Sequence, residues 1–115
     1  MQLFTTIRKA ELKDLDALVY LEKQFEEDAF PRSLFKKYIG RDLFRVLELE
    51  GHVSGYYLAL TRKNSKVIRL YSICVDKHFQ GHGYGKFLLN DLHNRCVGMQ
   101  IKLEVAEHNL ARYLY

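Results

Sequence analysis

The residues best suited to chemistry are Gln80-Gly81-His82-Gly83-Tyr84-Gly85-Lys86, a run with a glycine at alternate positions between an apolar stretch and a helical pattern. Such a turn lets successive backbone N–H groups converge on an anion. The unpaired N–H groups and the positive dipole end of a following helix add to that attraction. Gly81, Gly83 and Gly85 have no Cβ to hold a phosphate away, Lys86 adds a point charge, and His82 offers its backbone alone. Spacing excludes two familiar phosphate binders. Counted from Gly81, the dinucleotide fingerprint Gly-x-Gly-x-x-Gly meets Lys86 at its last position. The nucleoside-triphosphate loop needs a glycine where Gln80 stands and a Ser or Thr where Phe87 stands. The plain alternative for the three glycines is a turn that needs unusual backbone angles.

Further candidates lie near the C-terminal end. Glu104 is a charged residue in an otherwise apolar strand pattern, Leu103-Glu104-Val105, so it is either an exposed alternate position or a deliberate one. Asn109 suits a helix cap. Tyr113 and Tyr115 offer phenols, with packing as the alternative use. The histidines do not form a metal site: the glycine turn separates His78 from His82, and His93 with Cys96 lacks the further ligands that zinc needs.

Local patterns place these residues on elements. Phe4 to Arg8 reads as a first strand, rich in β-branched and aromatic residues. From Asp14, the spacing of Leu15, Leu18, Leu21 and Phe25 predicts a helix, with Asp16, Glu22, Lys23 and Glu26 on its polar side. Ala29-Phe30-Pro31 interrupts it, and Ser33 caps a short helix from Leu34 to Ile39 that Gly40 ends. Leu43 to Leu49 is a second strand, with Leu43, Leu47 and Leu49 set against Phe44, Arg45 and Glu48. Glu50-Gly51 is a hairpin turn. Val53 to Thr61 and Lys66 to Val75 are the next two strands. After the glycine turn, Leu88, Leu89, Leu92 and Cys96 share a helical face that ends at Gly98. Ile101 to Ala106 is a fifth strand, and Leu110 to Tyr115 opens a last helix. The order β-α-α-β-β-β-α-β-α combines hairpin-linked strands with one strand-helix-strand crossover, so the fold class is α/β with a mixed sheet.

Composition agrees with one domain over residues 1–115: 115 residues, 48% hydrophobic and 28% charged, with one proline and no repeat. No apolar run approaches the roughly 18 residues of a membrane span. Met1-Gln2-Leu3-Phe4-Thr5 lacks the basic stretch and apolar core of an export signal. Cys74 and Cys96 are too few for a disulfide framework. A cytoplasmic location is the expectation, with no membrane partner. The net charge of +4 suits an acidic ligand. Its densest knots, Lys36-Lys37 with Arg41 and Arg62-Lys63 with Lys66, form no long stripe with interleaved aromatics, and nucleic-acid binding therefore rests on charge alone.

The segment Ile73-Cys74-Val75-Asp76-Lys77-His78-Phe79-Gln80-Gly81-His82-Gly83-Tyr84-Gly85-Lys86-Phe87-Leu88-Leu89 resembles the acetyl-CoA motif of the GNAT family of N-acetyltransferases. That motif is a strand ending in an apolar-x-Val triplet, a short loop, Gln or Arg-x-x-Gly-x-Gly or Ala, and a helix with paired leucines. Lys77 stands where many members have proline. Leu103-Glu104-Val105-Ala106-Glu107-His108-Asn109, with Leu21-Glu22-Lys23-Gln24-Phe25 through Ala29-Phe30-Pro31, resembles the branch that acetylates the N-terminal alanine of a ribosomal protein.

The resemblance implies a GNAT-like fold and an acetyl-CoA-dependent N-acetyltransferase that needs no metal. It places the pyrophosphate of coenzyme A on the amides of Gly81 to Lys86, beside Gln80. The pantetheine arm pairs with the backbone of Ile73, Cys74 and Val75, where the fourth and fifth strands splay, often beside a bulge. Asn109 contacts coenzyme A, Glu104 is the general base, and Tyr115 protonates the departing thiolate. Tyr115 follows Asn109 by six residues where the family has seven. The acceptor is a primary amine: a protein N-terminus, a lysine or a small amine. Compared with the family, the chain lacks the last two strands, which motivates two further expectations. One is a non-catalytic acyl-CoA-binding or interaction module. The other is a homodimer through an open sheet edge.

Overall fold

The computed structural model describes residues 4–24 and 30–103. Its strands are β1 (Thr5–Lys9), β2 (Phe44–Leu49), β3 (His52–Thr61), β4 (Val67–Val75) and β5 (Gln100–Leu103). Its helices are α1 (Leu15–Lys23), α2 (Arg32–Tyr38) and α3 (Tyr84–Arg95), with short 3-10 turns at Leu12–Asp14 and Lys77–Phe79. The strands form one mixed sheet in the order β1-β2-β3-β4-β5. The first three pairings are antiparallel, and β4 with β5 is parallel, joined through α3. The expected α/β class and the hairpins-then-crossover order are both found.

Helices cover both faces. On one, α3 sets Leu88 and Leu92 against Leu47, Tyr57, Ile73 and Val75. On the other, Leu18 and Leu21 of α1 and Phe35 of α2 meet Phe44, Val46, Tyr56 and Leu58. Among the described residues, no helix is long and apolar enough to cross a membrane.

This double coverage corrects the reading of β2. Phe44 and Arg45 are buried there along with Leu47 and Leu49, because an inner strand between two helical layers has no solvent face. Phe44 and Val46 serve one core while Leu47 and Leu49 serve the other. Glu50 and Gly51 make the hairpin turn as expected, both with positive φ, which matches the twist of the strands they join.

Two further local expectations change. Ser33 is not a cap but lies inside α2, whose N-cap is Pro31. Proline fixes the extended φ that a cap position needs and ends any continuation from α1. Glu22, expected on the polar side of α1, is 1% exposed. It lies seven residues after Leu15, two helical turns on, and so shares the apolar face.

The sheet is irregular where it matters. Leu58 faces Ser72 while Ala59 faces Leu70, and Tyr71 is thus the extra residue of a β-bulge in β4. The described pairing of β4 with β5 ends at Leu70 opposite Leu103, beside that bulge.

Candidate active site

The glycine turn follows directly from the end of β4. Asp76 stops the strand and caps the next turn: its Oδ1 accepts the N–H of His78 at 2.9 Å and lies 2.8 Å from Nδ1 of His78. Burial pushes the Asp76 carboxyl up, but the bonds from His78 and Gln24 outweigh it and hold the group below its ordinary value. Gln24, at the end of α1, also accepts the N–H of Lys77 at 2.9 Å, which ties the turn to the opposite helical layer.

Gln80 points back at the strand, its Nε2 donating to the Val75 carbonyl at 3.2 Å. The chain then turns through Gly81 at φ 86° and Gly83 at φ 85°. A Cβ would meet nothing within 4 Å at either position, so conformation rather than space demands glycine there. Gly83 is the N-cap of α3, and the first bond of the helix ladder runs from Phe87 N–H to Gly83 O at 3.0 Å. The amides of Tyr84, Gly85 and Lys86 therefore stand ahead of the ladder, just after the exposed residues 81–83, at the positive end of a twelve-residue helix. Gly85 proves to be helical and buried, part of the first turn rather than of the loop. Phe79 packs edge-on against Tyr84, and His82 lies beside the same ring at 6.3 Å.

The edge of β4 leading into this turn is polarised by register. Asp76 N–H bonds the Ser54 carbonyl at 2.8 Å. In an antiparallel pair the bonding alternates, so Cys74 also turns its backbone groups to β3, and Ile73 and Val75 turn theirs away from it. Of the three strand residues expected to offer backbone groups, Ile73 and Val75 do so at the far edge and Cys74 does not. Cys74 is a buried thiol, as is Cys96, and the two are not joined in a disulfide.

The fold brings Ile73, Cys74, Val75, Gln80, Gly81, His82, Gly83, Tyr84, Gly85 and Lys86 into one continuous feature. Glu104, Asn109 and Tyr115 lie outside the described residues. Among the described residues, no group of three or more His, Cys, Asp or Glu side chains could hold a metal.

Three supports escaped the sequence reading. A Cβ on Gly55 would lie 2.8 Å from the Cys74 carbonyl and 3.4 Å from Leu88, so this glycine lets β3, β4 and α3 close up behind the site. Its only signal was a glycine inside a strand pattern. Tyr57 on β3 donates to Asp91 of α3 at 2.7 Å, and Arg95 donates to the same carboxylate at 2.9 Å, which fastens the helix to the sheet. Burial first and Asp91 second push the Tyr57 hydroxyl well above its ordinary value. Across the sheet, Tyr56 donates to buried Glu22 and lies 2.7 Å from Ser72 Oγ, while Glu22 also accepts the N–H of Phe30 at 3.1 Å. That cluster joins α1, β3 and the segment opening α2 to the residue beside the bulge. The position of Glu22 on the apolar face of α1 was the available clue.

The family model for the acetyltransferase (GNAT) family matches residues 9–115. An uncharacterised N-acetyltransferase of Methanocaldococcus jannaschii is 35% identical over 117 residues, covering 95% of this chain and 73% of the relative. Two solved structures share the fold. Ard1 from Thermoplasma volcanium superposes with a TM-score of 0.80 at 21% identity, over 91% of this chain and 74% of that one. Diaminobutyrate acetyltransferase from Paenibacillus lautus, solved with L-2,4-diaminobutyric acid and coenzyme A, gives 0.81 at 21% identity, over 95% of this chain and 70% of that one.

Proposed function

Since the chain belongs to the acetyltransferase (GNAT) family and is thus an N-acetyltransferase, we propose that it anchors acetyl-CoA at the junction of β4 and α3 and moves the acetyl group directly to a primary amine. The observation that carries this is the continuity of two backbone surfaces, one turned away from β3 and one ahead of the α3 ladder. The outward edge at Ile73 and Val75 runs straight into the amides of Tyr84, Gly85 and Lys86 on a turn held open by Gly81 and Gly83. An extended amide-bearing arm would pair with the first surface as an added strand. A pyrophosphate suits the second. Gln80 holds the Val75 carbonyl and so fixes the angle between the two.

The chemistry asks little else of the protein. Holding amine and thioester together supplies much of the rate. The amine must lose a proton as its nitrogen bonds the acetyl carbon, and the sulfur must gain one as the carbon–sulfur bond breaks. We assign the first task to Glu104, directly or through a water, and the second to Tyr115, with Asn109 contacting coenzyme A. These assignments rest on the resemblance of these segments to the family. A protein N-terminus is the favoured acceptor, from the likeness of the segments around Leu21 to Pro31 and Leu103 to Asn109 to the N-terminal alanine branch.

Saturating acetyl-CoA should raise the melting temperature of the chain. A ligand at one hundred times its dissociation constant adds about 2.7 kcal/mol of stability. Glu104→Gln should keep that shift while turnover falls about 10²-fold or more, in the range of a lost general base. No shift at millimolar acetyl-CoA removes the site from β4 and α3, and unchanged turnover in Glu104→Gln removes that residue from the mechanism.

A further inference from the structure

The two densest knots of positive charge are twenty residues apart in sequence, and the fold joins parts of both. Lys37 and Arg41 at the end of α2, Arg62 after β3 and Arg69 on β4 line one cavity of about 290 Å³, with Tyr38 and Tyr71 between them. Among the described residues, none of its walls is acidic. Among the described residues, Lys37, Arg41 and Arg62 have no carboxylate partner, although Lys37 sits 5.4 Å from the centre of the Tyr38 ring. Like charges around one concavity repel each other, and a solvated surface has no reason to gather them. Convergent guanidinium groups flanked by phenols are instead what recognition of a carboxylate requires.

Position gives the cavity a role. Val67 and Arg69 alternate along β4 with Ile68 and Leu70, which belong to the core under α3. The cavity therefore opens on the sheet face that carries α1 and α2. Its wall reaches Tyr71, the bulge residue. From Tyr71 to Ile73 is two residues, about 7 Å of strand, so the cavity adjoins the edge of β4 that Ile73 turns away from β3, on the side away from the glycine turn. A thioester arm anchored by its pyrophosphate at that turn and running back along β4 would present its reacting end there.

We propose that this cavity receives the acceptor and selects a primary amine that carries a carboxylate a few atoms from its nitrogen. The inference rests on the acetyl-transfer reading above and names the substrate class for it. The carboxylate takes no part in the bond changes. Arg41, Arg62 and Arg69 hold it with Lys37 nearby, and this aims the amine at the bulge. The nitrogen–carbon bond forms as the carbon–sulfur bond breaks, the amine proton passes to the base, and the sulfur receives one.

Two isosteric probes that share one amine test it: the dipeptide amides Ala-Glu and Ala-Gln, titrated calorimetrically into the full chain with and without coenzyme A. The Ala-Glu amide should bind about tenfold more tightly or better, as expected of a charge-assisted pairing. The preference should collapse toward parity in the Arg41→Gln, Arg62→Gln double variant; both side chains are exposed, and retained far-UV circular dichroism would confirm folding. Equal affinity for the two probes in the unmutated chain, binding of neither, or a preference that survives the double variant overturns the proposal. The coenzyme A melting shift separates the two readings. A shift without discrimination between peptides sinks this inference alone, and discrimination without a shift sinks the acetyl-transfer reading and with it the acceptor role of the cavity.

Discussion

Glu22 shows how much a single residue can carry once it is buried. A carboxylate enclosed by apolar side chains is costly unless its oxygens are engaged. Here Tyr56 and the amide of Phe30 each donate to it, and Tyr56 also meets Ser72. Burial and then the charge of Glu22 push the Tyr56 hydroxyl well above its ordinary value, so it stays a donor throughout the physiological range. Tyr56→Phe keeps the ring, with its edge-on contacts to Phe35 and Phe44, and removes only that donor. We expect a loss of about 1–3 kcal/mol, read as a lower urea midpoint at unchanged slope. A variant within about 0.5 kcal/mol of the parent, the range of an unremarkable surface change, would mean that Glu22 does not depend on Tyr56. The sequence displayed the seven-residue step from Leu15 to Glu22, but a charged side chain on an apolar face reads as solvated until the second helical layer is known to cover it.

At the scale of elements, the strands and helices of the described residues were readable to within a residue or two because alternation, helical spacing and turn residues are local properties; the last helix expected over Leu110 to Tyr115 and the end of the fifth strand lie outside those residues. The β4–α3 unit shows this best: its glycines, its helix start and its crossover all follow from adjacent residues. What could not be read there was which backbone groups face outward. Cys74 and Val75 look equivalent as strand residues, and only the pairing register with β3 separates them. Gly55 lies in the same gap. Its value comes from the Cys74 carbonyl and Leu88, far away in sequence. Gly55→Ala should therefore behave as an overpacked core position, losing about 1–3 kcal/mol. It should also weaken coenzyme A binding by shifting β4 under α3. Full stability in chemical denaturation, with unchanged ligand affinity, would show that the strands have room to spare.

Across the whole molecule, one sheet serves two cores, and neither helical layer can detach without exposing residues that the other strand face holds in register. Leu88 belongs to the core under α3, and Phe35 to the core under α1 and α2; both are 0% exposed. Leu88→Ala should cost about 2–5 kcal/mol and Phe35→Ala about 3–5 kcal/mol. If the chain is a single cooperative unit, each variant lowers the same transition, and tyrosine fluorescence and far-UV circular dichroism trace it together. Two separated phases, each moved by only one of the variants, would divide the chain into independently unfolding layers.

By itself the sequence determined the fold class, the order of the described elements, the glycine turn and the family, because each is written in neighbouring residues whose spacing has physical consequences within a turn or a strand. The tertiary structure alone decided that Glu22 is buried, that Ile73 and Val75 rather than Cys74 turn their backbone groups away from β3, and that Lys37 and Arg41 meet Arg62 and Arg69 around one cavity. Each of these depends on which sheet face is covered and in what register distant strands pair, and no local pattern encodes either.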